Sequence, residues 1–187
     1  MIKIFLLIIF LLPGQAGHEE PAGDPEEDLL SWNQFYKLRW VDFQGEPDEH
    51  AKGDAGAAVQ IKAKPFVVKK QIKYDVVALF NRSKSWARGQ SPSLLAHEQL
   101  HFDIAELYAR KIRKKIKELA ARDVNDIKIY NAAINELLLE SNQIDLKYDL
   151  ETLHGSLSKK QAAWSEKVSD GLVELDQYKK TRRVIGR

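Results

Sequence analysis

The sequence predicts an α+β domain: a small, mostly antiparallel N-terminal sheet followed by three helices. Two patterns and a length carry that prediction. Gln71 to Phe80 alternates as a strand, with Ile72, Tyr74, Val76 and Ala78 on one face. From Ser91 onward apolar residues recur at helical spacing almost to the end. The 187 residues suit a single domain, and 44% hydrophobic content is enough for one core.

The elements follow in chain order. Met1 to Ala16 has one positive charge, Lys3, then an unbroken apolar run from Ile4 to Leu12, then Pro13 and small residues. This is the plan of a secretory signal peptide, cleaved after residue 16, and the run is too short to cross roughly 30 Å of hydrocarbon. Residues 17–28 are acidic and rich in Pro and Gly, so they read as a solvated tether ahead of a domain spanning 29–187. Phe35 to Val41 alternates loosely, and Gly45 to Asp48 supplies turn chemistry. Ala57 to Val68 is a second strand candidate, edged by Pro65. Asn81 to Gln90 reads as a polar loop containing Trp86. Ser91 caps a helix whose first position is Pro92, and the periodicity carries it to about Ala121. Asp123 or Asn125 starts a second helix that ends near Tyr148. Ser156 or Ser158 caps a third, running through Trp164, Val168 and Leu172.

Composition excludes several classes of function. With 29 Lys+Arg against 27 Asp+Glu, the formal net charge of +2 gives no electrostatic case for nucleic acid. There is no cysteine, so disulfide frameworks, thiolate metal sites and cysteine nucleophiles are out.

The first long helix contains His97-Glu98-Gln99-Leu100-His101, the HExxH pattern. Residues four apart share a helix face, so both imidazoles can reach one ion. Glu98 sits about 100° round from His97, beside the ion, where it can take a proton from water. Zinc lowers the pKa of a bound water to about 7, which makes this spacing specific chemistry rather than composition.

A third protein ligand is required. Glu106 is poorly placed on the helix and reads better as an i,i+4 partner of Arg110 or a supporting group; Asp103 points away. From His101 to Ala121 the helix climbs roughly 30 Å, so an antiparallel second helix needs about twenty residues to return. That brings Ile144 to His154 beside the motif. His154 is the favoured ligand, as a neutral imidazole next to a turn-permitting Gly155; Asp149 is second and Glu151 third. Tyr148 is a candidate donor to a developing oxyanion, with a buried helix-end tyrosine as the alternative.

Leu38-Arg39-Trp40-Val41-Asp42-Phe43-Gln44-Gly45 resembles the "L-x-W-x-D-F-x-G" opening of a bacterial family of secreted zinc-dependent proteases, catalogued as a domain of unknown function. Leu94 to Glu106 is similar to its "LLxHEQxHFDIxE" block. Tyr148 to Gly155, with Gln161 and Trp164, resembles its "YDxxTxHG…QxxW" close. The resemblance spans Leu38 to Trp164 and implies a zincin-like exported protein, its active-site helix following the last strand.

The expectation is therefore a secreted or periplasmic zinc metallohydrolase, a peptidase with His97, His101 and His154 on zinc and Glu98 and Tyr148 at the chemistry. Its partner would be a peptide or protein substrate, a cell-envelope component included, and the chain reads as a monomer without a membrane span after cleavage. The alternative is a non-catalytic envelope-binding module with a structural metal. The basic run Arg110, Lys111, Arg113, Lys114, Lys115 and Lys117 reads as a solvated face near a helix C-terminus. Gln71 to Phe80 is a candidate edge on which an extended peptide adds.

Overall fold

The computed structural model describes residues 28–180 apart from Asp48 and Lys52. The expected leader, nearly all of the tether, and the last seven residues lie outside the described residues. The described residues form five strands and three α-helices: β1 (Leu29–Ser31), β2 (Ala55–Gly56), β3 (Val59–Val68), β4 (Gln71–Asn81), β5 (Trp86–Ala87), α1 (Pro92–Ala121), α2 (Ile127–Thr152) and α3 (Ser158–Glu174). The predicted α+β class is the observed one.

β3 and β4 pair antiparallel along their full length, from Val59 opposite Phe80 to Val68 opposite Gln71. β1 covers only the far end of β4, opposite Leu79 to Asn81. The strand order is therefore β1-β4-β3, and β2 and β5 make a separate two-stranded ribbon. β4 is consequently the middle strand; beyond β1 its outward carbonyls of Ala78 and Val76 are taken by the Trp32 N–H and the Arg113 guanidinium, so it does not offer the free edge expected of it, whereas β3 lies at the edge of the sheet. Pro65 is tolerated in β3 for this reason, because an edge position lets its missing N–H face away from the ladder.

Two other expectations are corrected. Phe35 to Val41 forms no strand: it holds a single bridge between Asn33 and Tyr36, then a 3-10 turn over Trp40–Asp42. The second helix starts later and ends later than expected, with Asp126 as its N-cap accepting from the Lys128 N–H, and it continues four residues past Tyr148. The first helix keeps its predicted bounds, and Ser91 accepts a hydrogen bond from the Leu94 N–H.

α1 is the central element because it is apolar on two sides. Phe102, Ala105, Ala109 and Ile112 pack against Val76, Ala78 and Phe80 of β4, with Leu38 and Ile134 closing the cluster. Leu100, Ile104 and Tyr108 join Tyr148 of α2 and Trp164 and Val168 of α3 in a second cluster. Such an enclosed helix has little room for solvated charge, and the basic run shows it. Arg110 is 2% exposed and pairs with Glu106 at 3.0 Å, as the i,i+4 reading anticipated. Arg113 grips the same carboxylate through both terminal nitrogens, at 3.0 and 3.2 Å. It also donates to the carbonyls of Val76 and Tyr178. These two arginines tie the sheet, α1 and the segment after α3 together, so the first part of the run is an internal clamp and not a solvated face.

Candidate metal centre

His97 and His101 extend the α1 stripe of Ile104 and Tyr108 toward α2 (positions 97, 101, 104 and 108), so the helix that builds the core also delivers both imidazoles to one point. The antiparallel return of α2 brings Asp149 there. The Asp149 Oδ1 lies 3.1 Å from the Nε2 of His97 and 3.1 Å from the Nε2 of His101, and the two Nε2 atoms are 3.2 Å apart. All three side chains are buried, and together they form a group able to hold a metal ion. A tetrahedral ion about 2.0–2.1 Å from each N or O ligand separates its ligand atoms by about 3.3 Å, so the triangle has the required size.

The far sides of the rings support this arrangement. His101 Nδ1 is 2.6 Å from Asp145 Oδ1, and His97 Nδ1 is 3.2 Å from Gln161 Oε1. Gln161 Oε1 and a carboxylate can only accept, so both Nδ1 atoms carry their protons there. In the neutral ring this fixes the tautomer with an Nε2 lone pair directed at the shared point, which is how metal-binding histidines are normally oriented. Burial alone would lower the His101 pKa, but the charge and hydrogen bond of Asp145, with Asp149 behind them, hold it well above the usual range. For Asp149 burial acts upward and is outweighed by hydrogen bonds with His101 and His97, so the carboxylate is held below its usual range. Three donor atoms in contact, one of them firmly anionic, form a site suited to a cation.

Glu98 lies beside this group and outside it. Its side chain is buried, and its Oε2 accepts the Ala57 N–H at 2.8 Å, at the entrance to β3. Burial pushes its pKa up, while His101 and His97 pull it partly back down. A buried carboxyl with a raised pKa and one anchored oxygen can both take and return a proton.

The remaining expected residues fall as follows. His154 stands at the rim, 46% exposed, its Nδ1 3.5 Å from Asp149 Oδ1 and outside the three-residue group. The helix continues through Asp149 to Thr152, which keeps Asp149 on the inward face of α2 and pushes His154 beyond it into a left-handed turn. Asp149, the second choice from sequence, is thus the residue that completes the group. Glu151 faces outward, accepting from Trp164 Nε1 at 2.9 Å. Tyr148 is fully buried and stacks on His97 with ring centroids 4.7 Å apart. Its hydroxyl bonds to Gln161 Oε1 at 2.7 Å and lies 3.2 Å from the His97 carbonyl, so its proton is already engaged and its place is behind the imidazole. Asp103 points away from the group, accepting from Trp32 and Gln99.

Two residues escaped the sequence reading. Asp145 was within the segment expected beside the motif, and its spacing of four from Asp149 placed it on the same face. Gln161 was visible only as part of a motif, with nothing in its own surroundings to mark it as the partner of His97.

The match to known proteins falls on this centre. Residues 68–155 match the family described as "Bacterial protein of unknown function (DUF922)". That stretch contains β4, α1, α2, the whole His97–His101–Asp149 group and Asp145, and it ends at the turn beneath His97. No curated protein matches the chain, and no solved structure matches it.

Proposed function

We propose that the protein is an exported zinc-dependent metallohydrolase, a peptidase, with zinc held by His97, His101 and Asp149 and Glu98 as its general base. The observation that carries this reading is the convergence of two Nε2 atoms and one carboxylate oxygen within 3.2 Å, beside a buried carboxyl outside the group. Two imidazoles and one carboxylate are a common donor set for a zinc site that leaves a position open to water. Bound there, zinc supplies a Lewis acid that makes water acidic near neutral pH and polarises a carbonyl.

The chain's own residues do the rest. Glu98, anchored through Oε2 by Ala57, accepts the proton of the attacking water and returns it to the leaving amine; its raised pKa favours the second transfer without abolishing the first. Asp145 and Gln161 hold the two imidazoles in one tautomer throughout. His154, at the exposed rim, would donate to a substrate oxygen, the role expected of Tyr148 from sequence. An extended peptide would pair with β3, the edge strand that begins two residues after the Ala57–Glu98 bond. Export rests on the signal-peptide pattern read in residues 1–16.

The test is turnover of a quenched fluorescent peptide library by wild-type protein and Glu98→Gln, with zinc content measured on both. The reading predicts chelator-sensitive cleavage by wild type. It predicts equal zinc in the variant and a rate lower by at least about 100-fold. Equal rates, or cleavage indifferent to chelation, would overturn it.

A further inference from the structure

The end of the molecule remote from the metal centre carries a second feature. Between Val59 and Tyr74 the β3–β4 hairpin holds Lys62, Lys64, Lys69, Lys70 and Lys73 and no acidic residue. Asp75, the next carboxylate along, is already paired with Lys180 at 2.8 Å. The tip is apolar as well as basic: Val67 is 70% exposed, Val68 45% and Phe66 38%. Its two-residue turn is made by Lys69 and Lys70 with φ of 48° and 64°. This is a type I′ geometry that Asn-Gly ordinarily fills, so two long cationic side chains stand where small residues cost least.

The neighbouring elements add to the same surface. Lys70, Ile72 and Lys73 share a cleft with Ala120, Asp123 and Val124 at the α1–α2 turn. The stacking of Tyr74 on Tyr130 fixes the start of α2 against β4. From that start Ile127 and Ile129 project, 44% and 47% exposed, on either side of Lys128.

From these features we infer that this end is a peripheral docking surface for an anionic phospholipid bilayer. Charge selects the partner class: the five hairpin lysines and Lys128 outnumber the two carboxylates of the neighbouring turn, Asp123 in the cleft and Asp126 bonded to the Lys128 N–H, and the surplus seeks phosphate. The exposed valines, phenylalanine and isoleucines select a bilayer over a soluble polyanion, because only the bilayer offers hydrocarbon beneath the phosphates. The geometry has a consequence for the metal centre. His101 lies twenty residues before Ala121, the end of α1, so the centre stands about 30 Å from the docked surface. It would face the aqueous side, toward soluble or envelope-borne substrate. The inference does not depend on the proposed hydrolase activity.

The experiment is co-sedimentation of the protein with vesicles of phosphatidylcholine alone and of phosphatidylcholine mixed with phosphatidylglycerol. Wild type should sediment with the mixed vesicles at low salt, not with phosphatidylcholine alone. Lys69→Glu with Lys70→Glu should weaken that binding by about tenfold or more. Val67→Asp should also weaken it, and Val67→Trp should add fluorescence that shifts to the blue on binding. Circular dichroism and zinc content unchanged from wild type confirm that each variant is folded. Equal or absent binding to the two vesicle types overturns the inference. Binding that polyphosphate competes away, with Val67→Asp unimpaired and no blue shift in Val67→Trp, would assign the patch to a soluble polyanion and overturn it equally.

Discussion

Gly155→Ala probes how tightly the turn after α2 is fitted to the His97–His101–Asp149 group. Gly155 has φ of +81°, and a Cβ built on it would lie 2.9 Å from both the Cβ and the Cγ of His97. The left-handed conformation costs an alanine about 1–2 kcal/mol. The contact adds about 1–3 kcal/mol, the range for forcing an extra carbon into a packed site. His97 cannot yield cheaply, because its ring is held by Gln161 and Asp149 and stacked on Tyr148. The expected loss is therefore about 2–5 kcal/mol of unfolding free energy in urea. Zinc affinity should fall about 10–100-fold, as when an outer support of a metal ligand is removed. Gly89→Ala is the control. Its nearest neighbour would be 3.5 Å away, so that variant should stay within about 0.5 kcal/mol of wild type. Wild-type stability and zinc affinity for Gly155→Ala, measured by urea unfolding and competition with a chromophoric chelator, would refute the fit.

Asp145→Ala should leave the fold intact and weaken zinc binding about 10–100-fold, because His101 loses the carboxylate that fixes its tautomer; the same chelator competition reads it. Stability against pH gives a separate check. The raised pKa of His101 contributes stability to the metal-free protein that is complete below about pH 6.5 and is lost as pH rises through its folded value. The lowered pKa of Asp149 contributes stability present above about pH 3.9 and lost as pH falls through its folded value. Zinc should reverse the alkaline limb, since its ligands must be deprotonated and its binding releases protons. Urea midpoints across pH, with and without zinc, test this. A metal-free protein that gains stability as pH rises above about 6.5 would contradict it.

Much of this architecture was legible because it rests on local rules. The 3.6-residue spacing from Leu94 onward and the Ser91-Pro92 start defined α1 to its ends, and HExxH on that helix located two imidazoles on one face. The antiparallel return was also readable, since helix rise alone brought the 144–154 segment back to the histidines. What failed was decided by tertiary packing. Choosing among Asp149, Glu151 and His154 depended on where α2 stops, and it runs past Tyr148 because Thr152 bonds back to the Tyr148 carbonyl and Leu153 takes the left-handed position. The strand order depended on β1, a three-residue strand too short to leave a pattern. The Glu106–Arg110 pair was legible from its spacing, but a charge run gives no hint that the distant carbonyls of Val76, Leu172 and Tyr178 would enclose Arg110 and Arg113.

The central claim is that His97, His101 and Asp149 hold the metal. Its most direct test is zinc per chain, by mass spectrometry, in wild type, Asp149→Ala and His154→Ala. The account predicts about one zinc in wild type and in His154→Ala, and loss of it in Asp149→Ala. Zinc retained without Asp149 and lost without His154 would contradict it.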